Sequence, residues 1–324
     1  MNLPTLSAPR SQQSKWRNIW RAIGVFLVAA LVLYVPYALI REGRHLNQLE
    51  WRRYLLVCIQ ATGLYLVSLG LQYVPWAQMI SHRHRIGLLD LEFYLRAVIL
   101  RRLPGLPWHW VGRVASYAAH TDVPPRTIAG ANLVEWLLLL MSGAGLYAAT
   151  VDLPAGLRIA LVGAALTFSV GTAIAWAPKG RPMLRRAADG MLWTLAYALS
   201  WFLSVWILHL FVAASPSGPI SWRETTRIWS LAAVLSVLIL FLPSGLGLRE
   251  AALVWQLQPH LPYVDALLIA LLIRVVYSIS DIGWGLIGWA AIRLAFRHRG
   301  AQEAIAPASP APATSSLHSR PPDR

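Results

Sequence analysis

Two stretches of this chain set charged side chains beside breaks in apolar segments. In the second half, Leu242-Pro243-Ser244-Gly245-Leu246-Gly247-Leu248-Arg249-Glu250 interrupts an apolar helix. Pro243 leaves a carbonyl unsatisfied in the preceding turn, while Gly245 and Gly247 admit backbone angles closed to other residues. A helix restarting near Gly247 presents unpaired N–H groups and its positive dipole end, which suits a phosphate or a carboxylate. Glu250, in the first turn, is favourable at that end and serves as its cap. Farther on, Arg274, Tyr277, Ser278 and Asp281 stand at i, i+3, i+4 and i+7, one polar stripe on a helix otherwise made of Leu, Ile, Val, Ala, Gly and Trp. An Arg facing lipid there costs about 2.5–3.5 kcal/mol even on the gentlest scale, so Arg274 must face protein or water. It either meets an anionic group or forms a packing ion pair, with Asp281 or with Glu135.

The first half has the same order of parts. Leu88 to Arg102 runs into Leu103-Pro104-Gly105-Leu106-Pro107, then Gly112-Arg113, a short helical stretch, a turn at Pro124-Pro125, and an apolar helix carrying Asn132 and Glu135. Pro104 precedes Glu135 by thirty-one residues, as Pro243 precedes Arg274. The shared order predicts two related halves, each with a Gly/Pro-broken segment, near 103–113 and 242–250. Glu135 is open to headgroup or proton chemistry or to structural pairing. His209, alone in its helix, reads as a hydrogen-bonded core residue.

The elements that position these residues are membrane helices. Hydrophobic residues make up 56% of the 324, charged residues only 13%, and mean hydropathy is +0.50, which excludes an ordinary water-soluble globule. The net charge of +15 sits mainly in short loops and at the termini. That placement points to anionic lipid and orientation signals rather than nucleic acid. Cys58 is the single cysteine, a small packing residue. No Asp/Glu/His cluster at usable spacing and no nucleotide-binding loop is found, so no metal and no cofactor are expected.

The apolar runs cover Ala22 to Ile40, Tyr54 to Val74, Ile128 to Thr150, Ile159 to Ala177, Met191 to Ala213, Ile228 to Leu242 and Ala266 to Ile292. The first is an uncleaved anchor behind a basic N-terminus, which sets that terminus in the cytoplasm. Seven full crossings would place Arg293, Arg297 and Arg299 outside, so either an eighth segment, Leu88 to Arg102, crosses, or one of the seven does not; eight is the preferred count. Trp20, Trp51, Trp76, Trp176 and Trp222 flank apolar runs as interfacial anchors, with Trp108 and Trp110 set apart beside the first break. The expected fold is an all-α polytopic membrane protein of seven to eight transmembrane helices with two Gly/Pro-broken, re-entrant segments in an internal repeat. Its parts are a basic N-terminus at 1–18, a membrane domain at 19–299 and a disordered Pro/Ala/Ser tail at 300–324.

The motif Leu-Pro-x-Gly-Leu-Gly-x-Arg-Glu-Ala-Ala at Leu242 to Ala252, with Asp265-Ala266 and Arg274 behind it, resembles the membrane domain of the lysylphosphatidylglycerol synthase/flippase family. Leu103-Pro104-Gly105, Gly112-Arg113 and Glu135 are similar to that family's other motif. This copy departs from the family pattern, since Pro107-Trp108-His109-Trp110 intervenes and Trp136 follows Glu135. The resemblance spans about Ile19 to Arg297 and lacks the family's soluble aminoacyl-transferase domain. It implies a flippase-like lipid translocase or lipid-binding transporter in a bacterial cytoplasmic (inner) membrane, with membrane lipids as ligands and lipid or glycan biosynthesis proteins as partners. In that reading Arg274 contacts the headgroup phosphate and the Gly247 break supplies backbone donors. Arg249, Glu250, Tyr277 and Ser278 line the site, and Glu135 or Asp281 pairs with a cationic group or balances Arg274 when the site is empty. The alternatives are a membrane-embedded enzyme or a non-catalytic accessory subunit.

Overall fold

The computed structural model describes residues 51–81, 85–101, 108–177, 180–218, 220–238 and 247–305. The predicted anchor Ala22 to Ile40, the N-terminal segment 1–18, most of the tail, and Pro104, Gly105, Pro243 and Gly245 lie outside them. The described residues form nine helices: α1 (Trp51–Ser81), α2 (Leu88–Leu100), α3 (Trp108–His120), α4 (Pro125–Thr150), α5 (Ala155–Trp176), α6 (Met183–Ala213), α7 (Trp222–Leu238), α8 (Leu248–Leu257) and α9 (Tyr263–Ile305). The backbone of α9 stays helical to Ile305, past residue 300 where the sequence predicts the tail to begin.

Five of these helices, α1, α4, α5, α6 and α9, are long and apolar enough to cross a membrane. Their outer faces support that reading. Leu55, Leu56 and Ile59 on α1 and Ile159 on α5 are all more than 60% exposed, surface that only a hydrocarbon environment would leave uncovered by protein. The opposite face of α1 buries Tyr54, Val57, Ala61, Tyr65, Ser68, Gln72, Trp76 and Met79, spaced by three and four, against its neighbours. Its main partner is α6. Within that contact the Ser68 and Ser200 hydroxyls lie 2.7 Å apart, and Gln72 Nε2 donates to Ser200 Oγ at 2.7 Å. Hydrogen bonds between such groups hold helices together in a medium that offers no hydrophobic drive.

The pairings fix two ends of the bundle. Trp193 Nε1 on α6 donates to Gln78 Oε1 on α1, and Trp176 Nε1 on α5 donates to Met79 O, so the C-terminal ends of α1 and α5 lie beside the start of α6. We call this the near end. At the far end, Asp152 after α4 pairs with Arg223 and Arg227 on α7, and Asp265 on α9 accepts from Ser215 and Ser217 after α6.

Among the described residues, α2 and α7 are both too short to cross by themselves. The thirteen-residue α2 packs antiparallel on α3: Tyr117 Oη donates to Asp90 Oδ1 at 2.6 Å, and the Phe93 and Tyr117 rings meet edge-on at 5.0 Å. Gly112 leaves room for Leu100, whose Cδ1 would lie 2.3 Å from a Cβ placed there. The seventeen-residue α7 likewise packs on α8, with Gln256 Nε2 donating to Ile228 O at 3.3 Å. Hairpin α2–α3 therefore starts and finishes at the near end, and hairpin α7–α8 at the far end. The α7 arm stops at mid-depth, where Trp136 Nε1, eleven residues into α4, donates to Val237 O. Among the described residues neither α2 nor α7 meets the length for a crossing by itself, and the runs Leu88 to Arg102 and Ile228 to Leu242 both continue outside those residues.

Each hairpin leans on a crossing helix from the opposite half of the chain, α2 on α9 and α7 on α4. Gly285 and Gly288 make the first contact possible. Cβ atoms at these positions would sit 2.3 Å from Ile99 Cγ1 and 2.2 Å from Leu95 Cδ1, with the Leu95 carbonyl 3.2 Å from the first. Small residues let helix backbones approach in this way. Glu92, buried on α2, pairs with Arg96 and, at 3.7 Å, with Arg293 of α9, tying the hairpin to the last crossing.

Candidate functional site

The first hairpin holds Arg113 at the heart of the bundle. Its side chain is fully buried and pairs with Glu135, itself 4% exposed, through Nη1 to Oε2, with Nη2 to Oε1 at 3.5 Å. Arg113 Nη1 also donates to Asn132 Oδ1 at 3.1 Å. The guanidinium lies 4.8 Å from the Trp76 ring centroid and 4.5 Å from that of Tyr94, a cation held between two aromatic faces. Glu135 lies ten residues into α4, about 15 Å from the near end at 1.5 Å per residue. A charge that deep is tolerable only when paired and enclosed.

The second hairpin repeats this arrangement with the signs exchanged. Gly247 takes φ 84° and starts α8, as its sequence context predicts, and its N–H donates to Glu250 Oε2 at 3.1 Å. Glu250 Oε1 then meets Arg274 Nη1 at 2.9 Å. The predicted cap and the predicted intramembrane Arg are thus one unit, and the packing pairs of Arg274 with Asp281 or with Glu135 do not form. Arg249, the neighbouring residue, lies over the rings of Trp229 at 5.5 Å and Tyr277 at 5.2 Å. Among the described residues no carboxylate forms an ion pair with it.

A seam of aromatic and charged groups joins the two hairpins. Tyr277 stacks on Tyr65 at 4.3 Å, and Tyr65 Oη donates to Asp281 Oδ1 at 2.6 Å. Tyr65 is the fifteenth of the thirty-one residues of α1, so this contact falls midway between the ends. Arg101, at the end of α2, is within electrostatic reach of Tyr65, Asp281, Tyr94 and Glu135. Of the predicted stripe, Tyr277 and Asp281 face inward and Arg274 is 22% exposed, while Ser278 is half-buried and outside these contacts.

Several participants escaped the sequence reading. Trp76, taken there as an interfacial anchor, is fully buried beneath Arg113. Position beside an apolar run does not tell an interfacial Trp from one folded inward, and the Pro75 before it was the available signal. Tyr65, Tyr94, Asp90, Arg101 and Tyr117 also carry the site, as does His109, which lies near Arg101 and Arg113. His209 behaves as expected, its Nδ1 lying 3.3 Å from Thr225 Oγ1 and its ring edge-on to Trp222. No family model and no curated protein matches this chain.

Proposed function

We propose that this protein is a lipid translocase, or lipid-binding transporter, of the bacterial cytoplasmic membrane, and that the two hairpins are re-entrant segments of an inverted repeat. The observation that carries the reading is the pair of hairpins arriving from opposite ends, each bringing an Arg over a Trp/Tyr pair and an ion pair to the following long helix. The elements α2–α3–α4 run near end to middle, back, then across; α7–α8–α9 run the same course from the far end. Inverted repeats with broken segments meeting at the midplane suit alternating exposure of one site to two faces. Arg249, without a carboxylate partner, is the group best placed to take a headgroup phosphate, and Arg274 holds α8 in place through Glu250.

The predicted anchor added to the five described crossings gives six, an even number. Both termini then lie on one side, which the basic N-terminal segment with Arg10, Lys15 and Arg17 assigns to the cytoplasm. This removes the conflict over Arg293. The motif resemblance to the lysylphosphatidylglycerol synthase/flippase membrane domain favours the same function, with lipid or glycan biosynthesis enzymes as the source or consumer of the lipid.

The test is leaflet exchange of a fluorescent phosphatidylglycerol in proteoliposomes, followed by quenching of the outer leaflet. Arg249→Ala is expected to slow exchange at least tenfold, with Arg274→Ala at least as severe. Wild-type rates in Arg249→Ala would overturn the assignment.

A further inference from the structure

Several buried hydrogen-bond donors without acceptors lie around Arg113. Among the described residues Trp76 Nε1, Tyr197 Oη and Arg113 Nε have no partner, and Tyr94 Oη, beside Arg101, has no acceptor; their side chains are 0–1% exposed. Trp76 and Tyr94 form the aromatic faces on the guanidinium. Tyr197, from α6, is within electrostatic reach of Glu135, Tyr94 and Arg113. A buried polar group left unpaired costs about 1–3 kcal/mol, so four in one place amount to a large cost that an acceptor-rich ligand would relieve.

The charges at this depth lead the same way. Across both hairpins Arg101, Arg113, Arg249 and Arg274 stand against Glu135, Glu250 and Asp281, and the guanidinium at the centre of the first hairpin is that of Arg113. Three neutral donors around a guanidinium match the oxygens of a phosphodiester. They do not match an ammonium group, which would add donors to donors and charge to charge.

Resting on the translocase reading, we propose that the first hairpin selects a phosphate-bearing anionic headgroup, with Trp76, Tyr94, Tyr197 and Arg113 donating to the phosphate oxygens. Glu135 occupies Arg113. An arriving phosphate competes with that carboxylate for the guanidinium, and the three neutral donors favour the phosphate because Glu135 does not satisfy them. The class expected is phosphatidylglycerol-like, with a net negative headgroup, in preference to zwitterionic or aminoacylated headgroups.

The experiment is native mass spectrometry of the full chain in nanodiscs of equimolar phosphatidylglycerol, phosphatidylcholine and lysyl-phosphatidylglycerol, with leaflet exchange measured on the same preparations. Wild type is expected to retain phosphatidylglycerol at least fivefold over either competitor. Tyr94→Phe/Tyr197→Phe should erase that preference while keeping the fold, since only hydroxyls are removed, and Trp76→Phe should weaken it. Glu135→Gln, which removes the competing carboxylate, should raise retention. A second arm adds 20 mM inorganic phosphate: unchanged lipid retention assigns the donors to a headgroup, and displacement assigns them to free phosphate. Equal retention of all three lipids, or an unchanged preference in the double Tyr variant, overturns the selectivity while leaving measured leaflet exchange standing. Selective retention without any leaflet exchange in wild type overturns the translocase reading and leaves the donor site intact.

Discussion

Removing Arg113 alone should be far more damaging than removing it together with Glu135. In Arg113→Met the Glu135 carboxylate, 4% exposed and about 15 Å deep, loses its ion-pair partner and the two hydrogen bonds that partner donates. Breaking a buried pair from one side costs about 3–5 kcal/mol. Two contacts of the guanidinium with Trp76 and Tyr94 are lost as well, each worth roughly 1 kcal/mol. In Arg113→Met/Glu135→Met the volume is largely kept and no charge is stranded, so most of that loss should return. The assay is thermal unfolding in detergent followed with a thiol-reactive fluorogenic dye, since Cys58 is the single cysteine and is only partly accessible. At about 2–4 °C per kcal/mol, the single variant should melt roughly 10–28 °C below wild type and the double variant within a few degrees of it. A double variant as unstable as the single one, or a single variant that melts like wild type, would refute the view that burial of an uncompensated charge governs this site.

The topology makes a direct prediction. In a Cys58→Ala background, His120→Cys and Ser81→Cys should label with a membrane-impermeant maleimide from one side, and Gln258→Cys and Thr150→Cys from the other; opposite labelling of His120→Cys and Ser81→Cys would exclude a returning first hairpin. Gly285→Leu should separate α2 from α9, since even a Cβ there meets the Leu95 carbonyl at 3.2 Å, and both melting temperature and leaflet exchange should fall. Gly247→Val should lower stability by about 1–2 kcal/mol through its φ of 84°, read as a lower melting temperature, whereas Gly247→Asn should be milder. Tyr65→Phe should cost about 1–3 kcal/mol by removing the 2.6 Å bond to the Asp281 carboxylate, detectable in the same melt.

The sequence alone determined the membrane class, because composition and apolar run length are properties of segments and need no partner. It also singled out the charges beside both Gly/Pro-rich stretches, because a stranded Arg or Glu in an apolar run is a local violation that stands out without knowledge of the fold. The cap of α8 was legible for the same reason, since Glu250 reaches a backbone N–H three residues before it.

Only the tertiary structure decided who pairs with whom. The partners of Arg274 and Glu135 are Glu250 and Arg113, twenty-four and twenty-two residues earlier in the chain, and those pairings exist because α8 packs on α9 and α3 on α4. An apolar run such as Ile228 to Leu242 has the same hydropathy whether it crosses or turns back, so hydropathy alone does not decide the crossing count. Trp76 shows the same limit from the other side. Its type and flanking residues suit an interface, and its burial beneath Arg113 follows from a hairpin whose arms lie twelve or more residues farther along the chain. Physical chemistry fixes which groups need a partner, and the arrangement of distant helices supplies one.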